Sequence, residues 1–225
     1  MVRSRAWNPN PRSPVRHSVV VVSLVACCAV VPFACEPDPR AGQQLAVVAV
    51  EQLGGSIMRD FKRDGDPVVK VDLADKPVSD ADLVPLKGLT QLNALVLRKT
   101  RVTDAGLANL LATGKLRNLD LDHTPITDAG LTHVGELTSL RDLCLARTGI
   151  TDAGLAHLRP LTKLRVLGLG GTNVSDAGLI HLRGLTNLRV LDLQDTKVTE
   201  AGVAKLRSDL PHAQISFRSH SRSNY

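Results

Sequence analysis

Aromatic side chains are almost missing from this chain. Its 225 residues hold three Phe, one Tyr and one Trp. A core of stacked rings is therefore excluded, and so is the basic surface interleaved with aromatics that grips single-stranded nucleic acid. Cysteine is scarce as well. Of four, Cys27, Cys28 and Cys35 lie in or beside one apolar run, and only Cys144 lies in the body, which is neither a disulfide framework nor a zinc spacing. Acidic residues are absent before Glu36, whereas Arg3, Arg5, Arg12 and Arg16 precede it. Most of the formal charge of +6 therefore belongs to the N-terminus and not to a nucleic-acid surface. No phosphate-binding glycine loop, metal-ligand spacing or nucleophile–base pair stands out, so no cofactor and no small-molecule substrate is expected.

The first residues read as an address. A basic, acid-free start leads into the apolar run Val19 to Cys35, and polar residues follow. That order fits an export signal over 1–36. The run has 17 residues and carries Pro32, at the short limit for a membrane span of about 20 residues. Two endings compete. "LVAC", Leu24 to Cys27, resembles a bacterial lipobox, which would lipidate Cys27. The alternative is cleavage near Ala34, or retention as an anchor. The expected location is the cell envelope, exported or attached to the membrane through the N-terminus.

The body repeats itself every 24 residues. Leu92, Leu116, Leu140, Leu164 and Leu188 open successive lines; Leu95 to Leu191 come three later and Leu97 to Leu193 two after that. Thr100, Thr124, Thr148, Thr172 and Thr196 follow, then "TDAGL" or a close copy, beginning at Ser79, Thr103, Thr127, Thr151, Ser175 and Thr199. Apolar residues two apart in "LxxLxL" predict a short strand, and spacings of three after "TDAGL" predict a helix or 3₁₀ turn. Thr or Ser stands where an N-cap belongs, with Asp104, Asp128, Asp152 or Asp176 just inside it to complement the helix dipole. The glycine is expected to let helix approach sheet. One such unit cannot bury its apolar face, so units must stack. Strands stack at about 4.8 Å and helices at roughly 8–10 Å, so the array curves with its sheet inside.

These lines, "LRNLDLDHTPITDAGL" among them, resemble leucine-rich repeats of the bacterial "TDAGL" class, akin to ribonuclease-inhibitor-like and F-box-associated repeats. The resemblance covers Val68 to Phe217. It implies an α/β fold, a right-handed solenoid or horseshoe with a parallel concave sheet and helices outside, and a non-enzymatic role in binding another protein. The family's usual Asn is Thr here, which predicts a thinner side-chain ladder. The expected organisation is a linker and cap over 37–67, with a helix in Gln43 to Gly55 and a hairpin turning at Asp64 to Pro67; repeats over 68–217; and a disordered basic tail over 218–225. Thr113 replaces the leucine found at 137, 161 and 185, which marks that coil as the weak one.

Alternation along each strand turns one set of side chains to the concave face. Asp120, Asp122, Asp142 and His123 should gather there, with Arg98 and Arg147 flanking them and Cys144, Gly168, Gly170 and Asp192 alongside. This is the expected partner-binding surface. Two other functions stay open on the same residues: an intracellular adaptor or enzyme inhibitor, and a metal-dependent hydrolase using Asp120, Asp122 and Asp142. Cys144 with His123 as base is a poor pair, since His123 lies roughly 10 Å along the next strand. The column His133, His157 and His181, and the row Arg117, Arg141, Arg165 and Arg189, read as solvated surfaces.

Overall fold

The computed structural model describes residues 39–218. The export segment, Cys27 and all of the tail beyond Arg218 lie outside the described residues. Helix α1 (Pro39–Gln52) leads into a hairpin of β1 (Ser56–Arg59) and β2 (Val68–Asp72). β3 (Ala94–Val96), β4 (Asn118–Asp120), β5 (Asp142–Cys144), β6 (Val166–Gly168), β7 (Val190–Asp192) and β8 (Gln214–Ser216) then follow. All eight form one sheet in chain order, antiparallel only between β1 and β2. The convex side carries 3₁₀ turns at Asp80–Gly88, Ala108–Thr113, Gly154–Leu158 and Gly178–Leu182, with α2 (Asp104–Leu107), α3 (Gly130–Glu136) and α4 (Glu200–Asp209). Among the described residues no helix is long and apolar enough to cross a membrane.

The aliphatic period becomes one continuous core. Leu95, Leu119, Leu143, Leu167 and Leu191 pair in register at the strand centres, and all are buried. At the N-terminal end α1 buries Ala46, Val47 and Val50 and stops at Gly54, whose φ is +69°. Its Gly42 meets Gly88 backbone to backbone, and a Cβ on Gly88 would fall on the Gly42 carbonyl. Gln43 ties helix to hairpin, its Oε1 accepting from the Val68 amide at 3.2 Å. The hairpin's connection runs over 60–67, between Arg59 and Val68.

Strands β2 to β7 are each followed, three residues on, by a left-handed residue. Asp75, Lys99, His123, Arg147, Gly171 and Asp195 have φ between +54° and +70°. Only one is glycine, so the conformation is held against its cost, of order 1–3 kcal/mol for other residues. Two sets of bonds hold it. The amides of the first five donate to the next coil, as Lys99 N does to Asp122 O at 2.8 Å and Arg147 N to Gly170 O at 2.7 Å. Inside the coil, the hydroxyls of Thr100, Thr124, Thr148, Thr172 and Thr196 donate to the carbonyl three residues back, at 2.6–2.7 Å. The expected side-chain ladder between coils is thus absent from this column; each buried threonine closes its own turn. Thr113 is handled likewise, fully buried with its hydroxyl on Leu110 O at 2.6 Å.

The "TDAGL" motif caps as expected, the hydroxyls of Thr127, Thr151 and Ser175 accepting from the amide two residues on at 3.3 Å, and it also does more. The aspartate reaches across to the following coil. Asp80, Asp104, Asp128, Asp152 and Asp176 each accept from the backbone amide of Thr103, Thr127, Thr151, Ser175 and Thr199 in turn, at 2.7–2.8 Å. The second oxygen accepts from the same residue's hydroxyl at 2.5–2.6 Å. The glycine exists for this clasp rather than for the sheet. A Cβ on Gly106, Gly130, Gly154, Gly178 or Gly202 would fall on the clasping carboxylate of the preceding coil. Thr199, before α4, accepts instead from an amide three residues on, Gly202 N at 3.2 Å.

Candidate functional site: the concave sheet

With three-residue strands, each coil offers the concave face two side chains per strand and two more at its exit. Register gives the columns directly. Ala94, Asn118, Asp142, Val166 and Val190 are neighbours, and so are Val96, Asp120, Cys144, Gly168 and Asp192. These are the columns expected from the period.

Local bonds divide the charged cluster. Asp120 Oδ1 accepts from the Asp122 amide at 3.0 Å, and Asp192 Oδ1 from the Gln194 amide at 3.0 Å, so both carboxylates brace the turns that follow their strands. Asp122 forms the one compact group: its Oδ1 lies 3.3 Å from Arg147 Nη1 and 3.2 Å from His123 Nδ1. Arg98 does not join it. Its guanidinium turns to the other neighbour, Asp75, at 3.9 Å, because left-handed turns on both sides offer it a carboxylate and Asp75 also draws Lys99 at 3.3 Å. Asp142 is held by Asn118, whose amide donates to Oδ2. Asn118 was not singled out in the sequence, although it is the register partner of Asp142. Asp120, Asp142 and Asp192 have no ion-pair partner among the described residues.

The carboxylates do not converge on one point. Among the described residues no three His, Cys, Asp or Glu side chains are placed to hold a metal ion. Cys144 is no activated thiol. Burial pushes its pKa up, and the charges of Asp120 and Asp122 add to this, with the Ala146 backbone opposing. It keeps its proton at neutral pH, and His123 is engaged with Asp122 instead. On the convex side His181 accepts from Arg159 at 2.7 Å, consistent with a solvated column.

Two depressions meet at Cys144. One, of about 270 Å³, is floored by Leu95, Leu119 and Leu143 and bordered by Val96, Val166, Gly168, Asp120 and Asp142. The other, of about 250 Å³, lies at the strand exits between Arg147, Gly170, Gly171 and Asp195. Gly168 separates them with no side chain, and its φ is ordinary, so the backbone does not require glycine there. Val166 and Val190, each 37% exposed, extend the apolar strip toward the C-terminus. A third hollow, of about 280 Å³, opens on the convex side where the short turn Gly178–Leu182 meets the longer α4. It is a seam between two unequal coils, whereas the concave pair lies on evenly stacked strands.

Two stretches, residues 115–133 and 184–206, match the family model described as Leucine Rich repeat. No curated protein matches the chain. Among solved structures, the chain is similar to internalin C2 from Listeria monocytogenes, at 20% identity over 81% of this chain and 94% of that one, with a TM-score of 0.48. Eight strands in chain order, one left-handed turn per coil and a leucine core of fixed period make the described part of this chain a leucine-rich repeat solenoid.

Proposed function

We propose that this chain is a non-enzymatic scaffold, exported or tethered to the membrane, that receives another protein on its concave sheet. The carrying observation is the apolar groove across β3 to β6, bordered by Asp120 and Asp142 and left open at Gly168. The partner surface comprises Arg98, Asp120, Asp122, His123, Asp142, Cys144, Arg147, Gly168, Gly170 and Asp192. The protonated thiol and the dispersed carboxylates favour binding over chemistry. Tethering rests on the basic start and apolar run of the sequence, with Cys27 as the proposed lipidation site; lipid labelling that persists in Cys27→Ser would remove that part.

The test places a photo-crosslinking residue at Val96, beside the groove, in the native cell. Capture should fall in Gly168→Trp, which fills the groove, and in Asp120→Arg, which reverses its charge. Ala156→Arg, on the convex side, should leave capture intact. The opposite pattern would move the partner to the convex face.

A further inference from the structure

The groove also carries information about the chemistry of its occupant. Its floor is aliphatic, and its two charged members, Asp120 and Asp142, stand on adjacent strands two residues apart along the chain direction. By strand spacing and rise their Cα atoms are about 8 Å apart, a gap that one ammonium or guanidinium can bridge. Asp142 accepts from Asn118, and Asp120 accepts from the Asp122 amide and from the protonated Cys144 thiol, yet neither carboxylate meets a cation among the described residues. On the coils before and beside the groove aspartates are neutralised, Asp72 by Lys70, Asp75 by Arg98 and Lys99, Asp122 by Arg147. Asp192 and Asp195 are unpaired among the described residues, like Asp120 and Asp142, but lie outside the apolar groove. The apolar groove thus coincides with the stretch of β4 and β5 whose negative charge the fold leaves uncompensated.

A second feature limits how much positive charge can enter. Arg117, Arg141, Arg165 and Arg189 each stand one residue before a strand begins, at the start of β4, β5, β6 and β7. Their backbones are linked in a row, each amide donating to the preceding arginine's carbonyl at 2.6–2.7 Å from Arg141 onward. None of the four side chains has a partner among the described residues. A run of cations laid across the sheet would meet this row and be repelled. A single cation placed beyond it, between Asp120 and Asp142, would not.

Building on the concave-binding reading, we propose that the groove takes one Lys or Arg side chain of the partner protein, its aliphatic stem over Gly168 and Val166 of β6 and its charged head between Asp120 and Asp142. Lysine and arginine suit such a site because an apolar stem and a charged tip can be satisfied separately. The residues flanking that cation on the partner are neutral or acidic, since they face the arginine row.

The experiment selects a displayed library of random peptides against the full chain and measures the affinity of the enriched peptides. The expected result is a single Lys or Arg per peptide, with neutral or acidic neighbours, and binding that weakens with salt. Replacing that cation by Gln should cost about tenfold or more in Kd, as should the double variant Asp120→Asn, Asp142→Asn. Asparagine is chosen because its Oδ1 can still accept from the Asp122 amide and from Asn118, so the turn and the pair are kept. Enriched peptides without a basic residue that still lose binding in Gly168→Trp would overturn the charge assignment and leave the concave reading standing. Peptides indifferent to Gly168→Trp, or none dependent on the groove, would overturn both. Polylysine competing as well as the selected peptide would overturn the single-cation site.

Discussion

Two columns of this solenoid share one period and behave in opposite ways. Along the clasp, Asp80, Asp104, Asp128, Asp152 and Asp176 keep one residue type and make one pair of bonds in every coil. Along the concave face, Val96, Asp120, Cys144, Gly168 and Asp192 occupy equivalent places in the sheet, yet each differs from the next and the one side-chain bond that repeats is made by Asp120 and Asp192 alone of the five. The first column answers to its neighbouring coil, whose geometry is always the same. The second answers to whatever lies outside the molecule. Repetition within one chain therefore separates frame from face: a column that must match its own copy is uniform, and a column released from that demand varies.

The largest contrast is expected between adjacent residues on one strand. Leu143 is buried at the centre of β5, and Leu143→Ala should cost about 2–5 kcal/mol. Cys144 points to the groove, and Cys144→Ala should cost less than about 1 kcal/mol, as surface changes usually do. Urea unfolding followed by circular dichroism measures both. Equal costs would mean that the concave face is part of the core.

The same substitution can then be carried from one column to the other. Gly154→Ala puts a methyl group on the carboxylate of Asp128 and must open its clasp to Thr151, for about 1–3 kcal/mol. In Gly168→Ala the new methyl would lie 3.2 Å from Cys144 Sγ, which can rotate aside, so the change should stay within about 0.5 kcal/mol. If the two alanines cost the same, the clasp is not what excludes a side chain at Gly154.

A smaller effect tests the threonine column. Thr148→Val and Thr172→Val each remove a buried hydroxyl from a carbonyl of its own coil, worth about 1 kcal/mol apiece. Because neither hydroxyl bonds the other, the double variant should be additive within about 0.5 kcal/mol. Strong coupling would restore the side-chain ladder that this column lacks.

What the sequence made legible follows the same division. The leucine period set the strands, their register and the residues of both concave columns, because burial acts on one residue type at fixed spacing. The Asp–Thr clasp was missed because Thr followed by Asp already makes a sound local N-cap, which it is, and letters alone do not say that the aspartate has a second partner 23 residues away. The glycine that recurs two places after each aspartate, in "TDAGL", held the missing signal: its copy in the next coil faces that carboxylate. Arg98 and Asn118 were illegible for another reason. A long or polar side chain on a sheet can turn to either neighbour, and Arg98 turned to Asp75 while Asn118 turned to Asp142.

The finest test of the comparison is chemical. Cys144 belongs to the variable column, and its thiol is pushed up first by burial and then by Asp120 and Asp122. A thiol with a raised pKa has less thiolate at a given pH, and thiolate is the species that alkylates. Iodoacetamide at pH 8 should therefore modify native Cys144 more slowly than a cysteine in an unstructured peptide, with the rate curve displaced to higher pH. Asp120→Asn removes one of the raising charges while keeping an acceptor for the Asp122 amide, so the rate should rise toward the peptide value without reaching it, since burial persists. Linkage gives the matching sign for stability. The folded chain holds this proton more tightly than the unfolded chain, so the stability it contributes is complete below the unfolded thiol's pKa and declines as pH rises through that range. Cys144→Ser should flatten that decline. Alkylation of Cys144 as fast as the peptide, unchanged by Asp120→Asn, would show that the thiol does not feel the groove's carboxylates, and the uncompensated charge assigned to β4 and β5 would lose its nearest reporter.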